Sequence, residues 1–262
     1  LKSSSRADIA IIGGSGVEDL LKEARPVRIA TPYGLPPPVS VGEIEGKIAV
    51  FLPRHGINHT IPPHRLNNRA NISALHKLGV KRIFATNAVG ALNSKFKPGD
   101  FVIPHDFVDF TKNREQTFYD SSPVTHIDMS QPFCPEIQSA LMKATEQVGK
   151  NVWNKAVIAC TEGPRYETPA EVKMFQHVGC DVVGMTTLPE AVLARELEIC
   201  YASLCYITNL AAGLQVKQSV SELTRFAEEN KLIIREVLKK AITLLPETRN
   251  CKCVNALKDA RL

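Results

Sequence analysis

Short segments of this chain carry residues whose types and spacing suit chemistry on a small anionic or aromatic ligand. Gly13-Gly14-Ser15-Gly16 follows an apolar run. Its glycines leave backbone N–H groups open to an anion and the Ser15 hydroxyl adds a donor; the other reading is a plain tight turn. It is not a dinucleotide fingerprint, because Asp19 stands where the third glycine belongs, and no Gly-Lys-Ser/Thr follows as in a P-loop. Arg54-His55-Gly56 closes a second apolar run. An Arg offers a planar fork matched to phosphate oxygens and a neighbouring His adds a donor; the alternative is a surface Arg beside a capping His. Tyr166-Glu167 puts an aromatic face next to a carboxylate, the pair a purine needs for stacking and edge reading. The alternative is a core Tyr and a first-turn acid favoured by the helix dipole. Asn209 ends a further apolar run, either as a buried amide in need of partners or as a turn residue.

The His-rich loop with His59 and His64 has no carboxylate and no zinc-like spacing, and Cys251-Lys252-Cys253 has no second C-x-C or paired His nearby in sequence. No metal site is expected.

The elements that must position these residues alternate. Apolar runs at Ala7–Ile12, Ile48–Leu52, Arg82–Thr86, Phe101–Pro104, Ala156–Cys160, Asp181–Met185 and Cys200–Thr208 read as strands. Ile72, Leu75 and Leu78 recur at helical spacing before Gly79. Thr168-Pro169-Ala170-Glu171, Thr187-Leu188-Pro189-Glu190 and Ser219-Val220-Ser221-Glu222 read as capping boxes. The last opens a helix with Leu223, Phe226, Ile233, Val237, Ala241 and Leu244 on one face. This alternation predicts an α/β fold, a single domain over 1–262, with a central mixed twisted β-sheet flanked by helices. Ligands of such sheets sit at the carboxyl ends of strands, which gathers Ser15, Arg54-His55, Asn87, Tyr166-Glu167, Met185-Thr186 and Asn209 on one rim.

The chain has 262 residues, 44% hydrophobic and 23% charged, with a net charge of +5 and its basic residues scattered among acidic ones. That is globular composition without a nucleic-acid stripe. No apolar run approaches the roughly 20 residues of a membrane span, and the first residues lack an apolar signal core. A cytoplasmic protein is expected. Seven cysteines are an odd count for a secreted disulfide framework.

Together the motifs resemble the trimeric purine nucleoside phosphorylase family, most closely its methylthioadenosine phosphorylase branch. The resemblance spans nearly the whole chain. It rests on Ile11–Gly16, Pro53-Arg54-His55-Gly56 with His59 and Pro62-Pro63-His64, Asn67–Asn71, Asn87-Ala88-Val89-Gly90, Pro98-Gly99-Asp100, Glu162-Gly163-Pro164-Arg165 and Gly184–Glu190. It implies a phosphate site at Ser15, Arg54, His55, Asn87, Ala88 and Thr186, with Asn87 standing where methylthioadenosine enzymes often carry Thr. It implies a base site at Tyr166, Glu167, Asn209 and Ala211. Around the ribose and 5′ group it implies His59, Met185, Val220 and Leu223, with His126 reaching a neighbouring subunit's site. Catalysis falls to Asn209, Glu167 and His55.

Phosphate is then a co-substrate and no cofactor is needed. The oligomer is a trimer or a dimer of trimers with shared sites, and no nucleic acid or membrane partner is involved. Adenine-selective members carry Asp-x-Asp where this chain has Asn209-Leu210-Ala211, so the resemblance implies 6-oxopurine nucleosides (inosine, guanosine) as substrates. Val220 and Leu223 add methylthioinosine, with methylthioadenosine as the alternative. A hydrolase using water, or a non-catalytic nucleoside-binding protein, are the competing functions. Thermophilic archaeal members carry intrachain disulfides, which implies the pairs Cys134–Cys200 and Cys251–Cys253.

Overall fold

The structure, a computed structural model, describes residues 7–14, 20–215 and 220–261, with the side chains of 220–224, 226 and 227 outside the description. Among the described residues, nine strands form one mixed sheet: β1 (Ile9–Gly13), β2 (Lys22–Val27), β3 (Val39–Ile44), β4 (Lys47–Pro53), β5 (Arg82–Ala91), β6 (Phe101–Phe110), β7 (Val152–Thr161), β8 (Val182–Gly184) and β9 (Cys200–Leu210). Their order is β2-β3-β4-β1-β5-β8-β7-β6-β9. β1 is buried along its whole length between parallel neighbours β4 and β5, which is why its sequence is an unbroken apolar run. The expected mixed sheet flanked by helices is present, with one addition. β9 also pairs with β5, so β5-β8-β7-β6-β9 close into a ring, and closure leaves those strands without exposed edges.

The helices are α1 (Asn68–Lys77), α2 (Pro135–Gln147), α3 (Pro169–His177), α4 (Thr187–Glu196) and α5 (Val220–Thr243). α1 packs with α4 and α2 with α5, while α2, α4 and α5 all lie on β9. Among the described residues of α5 the buried hydrophobic ones are Ile234, Val237, Leu238, Ala241 and Ile242; Leu244, expected on that face, is exposed. The capping box expected from Ser219 lies outside the described residues.

The capping box at α3 forms as its sequence demands. Thr168 accepts from the Glu171 N–H, and Glu171 accepts from the Thr168 N–H. The similar arrangement at α4 does not form. The N-cap is Thr186 rather than Thr187, Leu188 is non-helical, and the Glu190 carboxylate is turned inward to a buried arginine. A buried cation outcompetes a terminal N–H for a carboxylate, because leaving it unpaired costs more.

The cysteines also depart from expectation. Neither Cys134–Cys200 nor Cys251–Cys253 is bonded, and all seven cysteines are free thiols. Instead the sulfurs of Cys134, Cys200, Cys251 and Cys253 all lie within 4.8 Å of one another. The sequence reading that no metal site is expected does not take this cluster into account. It was drawn from neighbours in sequence, whereas the fold supplies two of the four sulfurs from far along the chain.

Candidate active site

The carboxyl ends of β4, β5, β8 and β9 and the loop after β7 surround a cavity of about 350 Å³, within the range of small-molecule sites. Its lining includes Arg54, His55, His59, Asn87, Ala88, Tyr166, Glu167, Met185, Thr186, Asn209 and Ala211, all expected from the sequence. Gly14 lines it too, while Ser15, Val220 and Leu223 fall outside the described side chains. His126 is exposed and outside this chain's own cavity; its N–H donates to the Ala260 carbonyl at 2.8 Å.

At one end, β4 delivers Arg54 into the interior. Its Nε and Nη2 donate to the two Glu190 oxygens at 2.5 and 3.0 Å, and Nη1 donates to the Thr86 carbonyl at 2.8 Å. Tyr201 donates to the same Glu190 carboxylate at 2.9 Å. Arg54 and Glu190 are 2% and 0% exposed, so each charge depends on the other. A guanidinium has five N–H donors, and this bracing uses three, leaving two for a ligand.

His55 is locked by a reciprocal pair. The Ile61 N–H donates to the His55 carbonyl at 2.9 Å, and His55 Nδ1 meets the Ile61 carbonyl at 2.8 Å. A carbonyl only accepts, so Nδ1 carries the hydrogen. Burial, with the Arg54 charge adding to it, lowers the His55 pKa to about 4, so the ring is neutral near pH 7 and its Nε2 is an acceptor. His59 stacks on the ring at 4.4 Å.

Asn87, on β5, does not present a simple side-chain contact either. Its Nδ2 donates to the Thr186 hydroxyl oxygen and its Oδ1 accepts from Ser203. With that oxygen already accepting, the Thr186 hydroxyl is predisposed to donate.

The other end is built on a bulge and a loop. The β5–β9 register slips between Val89 and Gly90, pairing Val89 with Ile207 and Gly90 with Asn209. Thr208 is the extra residue, so Thr208 and Asn209 both line the cavity although adjacent strand residues ordinarily face opposite ways. Thr208 donates to Asn209 Oδ1 at 2.6 Å, and Asn209 Nδ2 donates to the Leu210 carbonyl at 2.8 Å. Only nitrogen can face a carbonyl, so the orientation of the amide is determined. Across the cavity, Glu167 accepts from the Thr161 hydroxyl at 2.8 Å, and burial raises its pKa.

Two further features shape this end, and the first has no clear sequence signal. Arg114 donates to the carbonyls of Met185 (2.7 Å), Leu188 (2.5 Å), Thr161 (3.0 Å) and Glu162 (2.7 Å), tying the Tyr166-Glu167 loop to the Met185-Thr186 turn. It lies in no periodic or motif context that could have marked it. Gly163, in the Glu162-Gly163-Pro164-Arg165 motif, has φ +67°, a conformation that favours glycine, and a Cβ there would stand 2.7 Å from Met185 Sδ. Tyr206 and Thr208 are further lining residues that the sequence reading did not single out.

The chain is similar in sequence and fold to known proteins. The family model described as the phosphorylase superfamily matches residues 8–243. A probable 6-oxopurine nucleoside phosphorylase of Thermococcus kodakarensis is 49% identical over 262 residues, 96% of this chain and 98% of its own. A probable S-methyl-5′-thioinosine phosphorylase of Methanothermobacter thermautotrophicus is 48% identical over 256 residues, 96% of this chain and 89% of its own. Among solved structures, a methylthioadenosine phosphorylase from an antarctic soil metagenomic library superposes with a TM-score of 0.94 at 37% identity, covering 98% of this chain and 93% of that one. With a family match over residues 8–243 and near full-length similarity in sequence and fold, this chain is an enzyme of the phosphorylase superfamily.

Proposed function

We propose that this enzyme is a purine nucleoside phosphorylase that cleaves 6-oxopurine nucleosides with phosphate, giving the free base and a ribose 1-phosphate. The observation that carries the base preference is the fixed amide of Asn209 in the same cavity as the Glu167 carboxylate. An amide nitrogen donates to O6 or N7 of a 6-oxopurine, and a carboxylate accepts from its N1–H. Adenine reverses both groups: its exocyclic nitrogen donates and its N1 accepts. The names of relatives do not decide this point, since near relatives differ in the nucleoside they are named for. Tyr166 supplies the stacking face and Ala211 a small wall beside the base.

The reaction forms a C1′–O bond to phosphate and breaks the C1′–N9 bond to the purine. Phosphate is a weak nucleophile and a purine anion a poor leaving group, so rate comes from alignment and from stabilising the charge that moves onto the base. The two remaining Arg54 donors, the Thr186 hydroxyl, the backbone near Asn87-Ala88 and Ser15 hold phosphate. Neutral His55 accepts a phosphate hydroxyl. Met185 and His59 pack at the ribose, and Asn209 steadies N7 as the base departs. The chemistry needs no metal or nucleotide cofactor.

His126, exposed on its own subunit, serves a neighbour's 5′ pocket in a trimer or dimer of trimers, and the enzyme works in the cytoplasm. The family resemblance puts the apolar Val220 and Leu223 near the 5′ group, which supports methylthioinosine as a substrate beside inosine and guanosine.

The test is base release from inosine, guanosine, methylthioinosine and methylthioadenosine, with and without phosphate. Strictly phosphate-dependent turnover that favours the three 6-oxopurines is expected. Turnover in water alone would make the enzyme a hydrolase, and binding without base release would make it a binding protein. Preference for methylthioadenosine would overturn the reading of the base edge.

A further inference from the structure

The cysteine cluster lies apart from the cavity. Cys134 is the N-cap of α2, Cys200 opens β9, and Cys251 and Cys253 sit at the start and within a 3-10 turn of the C-terminal segment. All four are buried, from 0% to 7% exposed. Their sulfurs lie within 4.8 Å of one another, with Cys200 and Cys251 at 3.4 Å. A disulfide needs about 2.05 Å. Tetrahedral zinc bound by thiolates at about 2.3 Å spaces its sulfurs at about 3.8 Å. The observed gathering suits four ligands around one centre better than two bonded pairs.

The surroundings point the same way. Four thiolates around a divalent ion leave two excess negative charges in a dry interior, which is costly without compensation. Two guanidinium groups face the sulfurs: Arg195 Nη1 is 3.5 Å from Cys253 Sγ, and Arg249 Nη1 is 3.9 Å from Cys200 Sγ. Arg195 is itself 5% exposed, and Arg249 is anchored by donating to the Glu198 carbonyl at 2.8 Å. N–H donors to ligating atoms are the outer shell that a metal site requires.

We propose that Cys134, Cys200, Cys251 and Cys253 form a structural Zn²⁺ site that staples the C-terminal segment to the start of α2 and β9. Each thiol loses its proton to solvent on ligation, and no electron is transferred. The closed tetrahedral set leaves no position for substrate, so the ion acts on structure alone. The stapled segment runs on to Ala260 and Arg261, which pair with His126 and Thr125. If His126 serves a neighbouring site, as proposed above, the ion also holds that segment in place; the metal site itself does not depend on that reading.

The test is the metal content of protein produced with zinc and purified under reducing conditions without chelator. One zinc per chain is expected, released by a mercurial that titrates thiols, and replacement by Co²⁺ should give the intense visible absorption of a tetrahedral thiolate site. The double variant Cys251→Ser/Cys253→Ser should lose the zinc. Should that variant fail to fold, the intact protein still decides. Denatured with chelator and alkylated without reductant, it should have all seven cysteines modified. Modification of Cys160, Cys180 and Cys205 alone would show two disulfides and overturn the proposal. So would wild-type protein without stoichiometric zinc, or undiminished zinc in the folded double variant.

Discussion

At one end of the cavity Arg54 and Glu190 hold each other through two hydrogen bonds, both almost wholly buried, with Thr86 and Tyr201 completing the brace. At the other end Glu167 sits in a loop and Asn209 on a bulge; each meets a neighbouring hydroxyl, and Arg114 ties the Glu167 loop to the Met185-Thr186 turn through backbone carbonyls. The first end is wired into the core across four elements. The second rests on a loop and a strand bulge. A site that takes one invariant anion gains from the rigid arrangement, whereas a site whose second ligand differs among relatives is better placed on parts that change without disturbing the core. The near-identical similarity to relatives named for different nucleosides fits that division.

The largest effect should come from breaking the rigid end. Glu190→Ala leaves the buried Arg54 charge without a partner, and losing one member of such a pair costs about 3–5 kcal/mol. Denaturant unfolding should show this loss, and turnover should fall with it. An unchanged unfolding midpoint would mean the pair does not brace the core. At the local end, Glu167→Gln should leave stability nearly unchanged yet remove the acceptor for N1–H. Hydrogen bonds to charged groups are worth about 1.5–3 kcal/mol, so kcat/KM for inosine should drop roughly 10- to 150-fold. A comparable loss of stability would show that the two ends do not differ as described.

Asn87 gives an intermediate probe. Asn87→Ala deprives Thr186 of its donor and Ser203 of its acceptor, and should cost about 1–3 kcal/mol, read as a higher KM for phosphate with the KM for nucleoside little changed. Equal rises in both would place Asn87 outside the phosphate end.

The smallest effect is in pH. Burial raises the Glu167 pKa, so as pH falls its carboxylate is lost earlier than an ordinary one, and kcat/KM for inosine should decline on the acid side in wild type but not in Glu167→Gln. His55 titrates near 6.5 when unfolded and about 4 when folded. The unfolded chain therefore takes up this proton first, and the His55 contribution to stability, complete above pH 6.5, is lost as pH drops towards 4. A midpoint of unfolding that follows pH identically in His55→Gln would remove that assignment.

The sequence made the strand ends legible because parallel strands buried on both faces are continuous apolar runs, and the residues closing them stand out. That placed Arg54, His55, Asn87 and Asn209 around one cavity. It did not reveal Glu190 as the partner of Arg54, because a Thr-x-Pro-Glu motif looks locally like a helix start and its true partner is 136 residues away. The bulge at Thr208 was hidden for a related reason, since strand slips are set by pairing across the sheet and not by the strand's own residues. Strands β2 and β3, with mostly exposed or half-buried residues, lack the apolar signature, and ring closure between β5 and β9 has no local signal at all. The cysteine cluster was missed for the same cause: its four members are close only in the folded chain.

The central claim is that the base edge is read by a donor amide and an acceptor carboxylate. It is tested most directly by the ratio of kcat/KM for inosine to that for methylthioadenosine, in wild type and in Asn209→Asp. A ratio above one is expected in wild type, with a fall of roughly 5- to 150-fold in the variant, since an acid exchanges a donor for an acceptor at about 1–3 kcal/mol. A wild-type ratio below one, or a ratio that Asn209→Asp leaves unmoved, would contradict it.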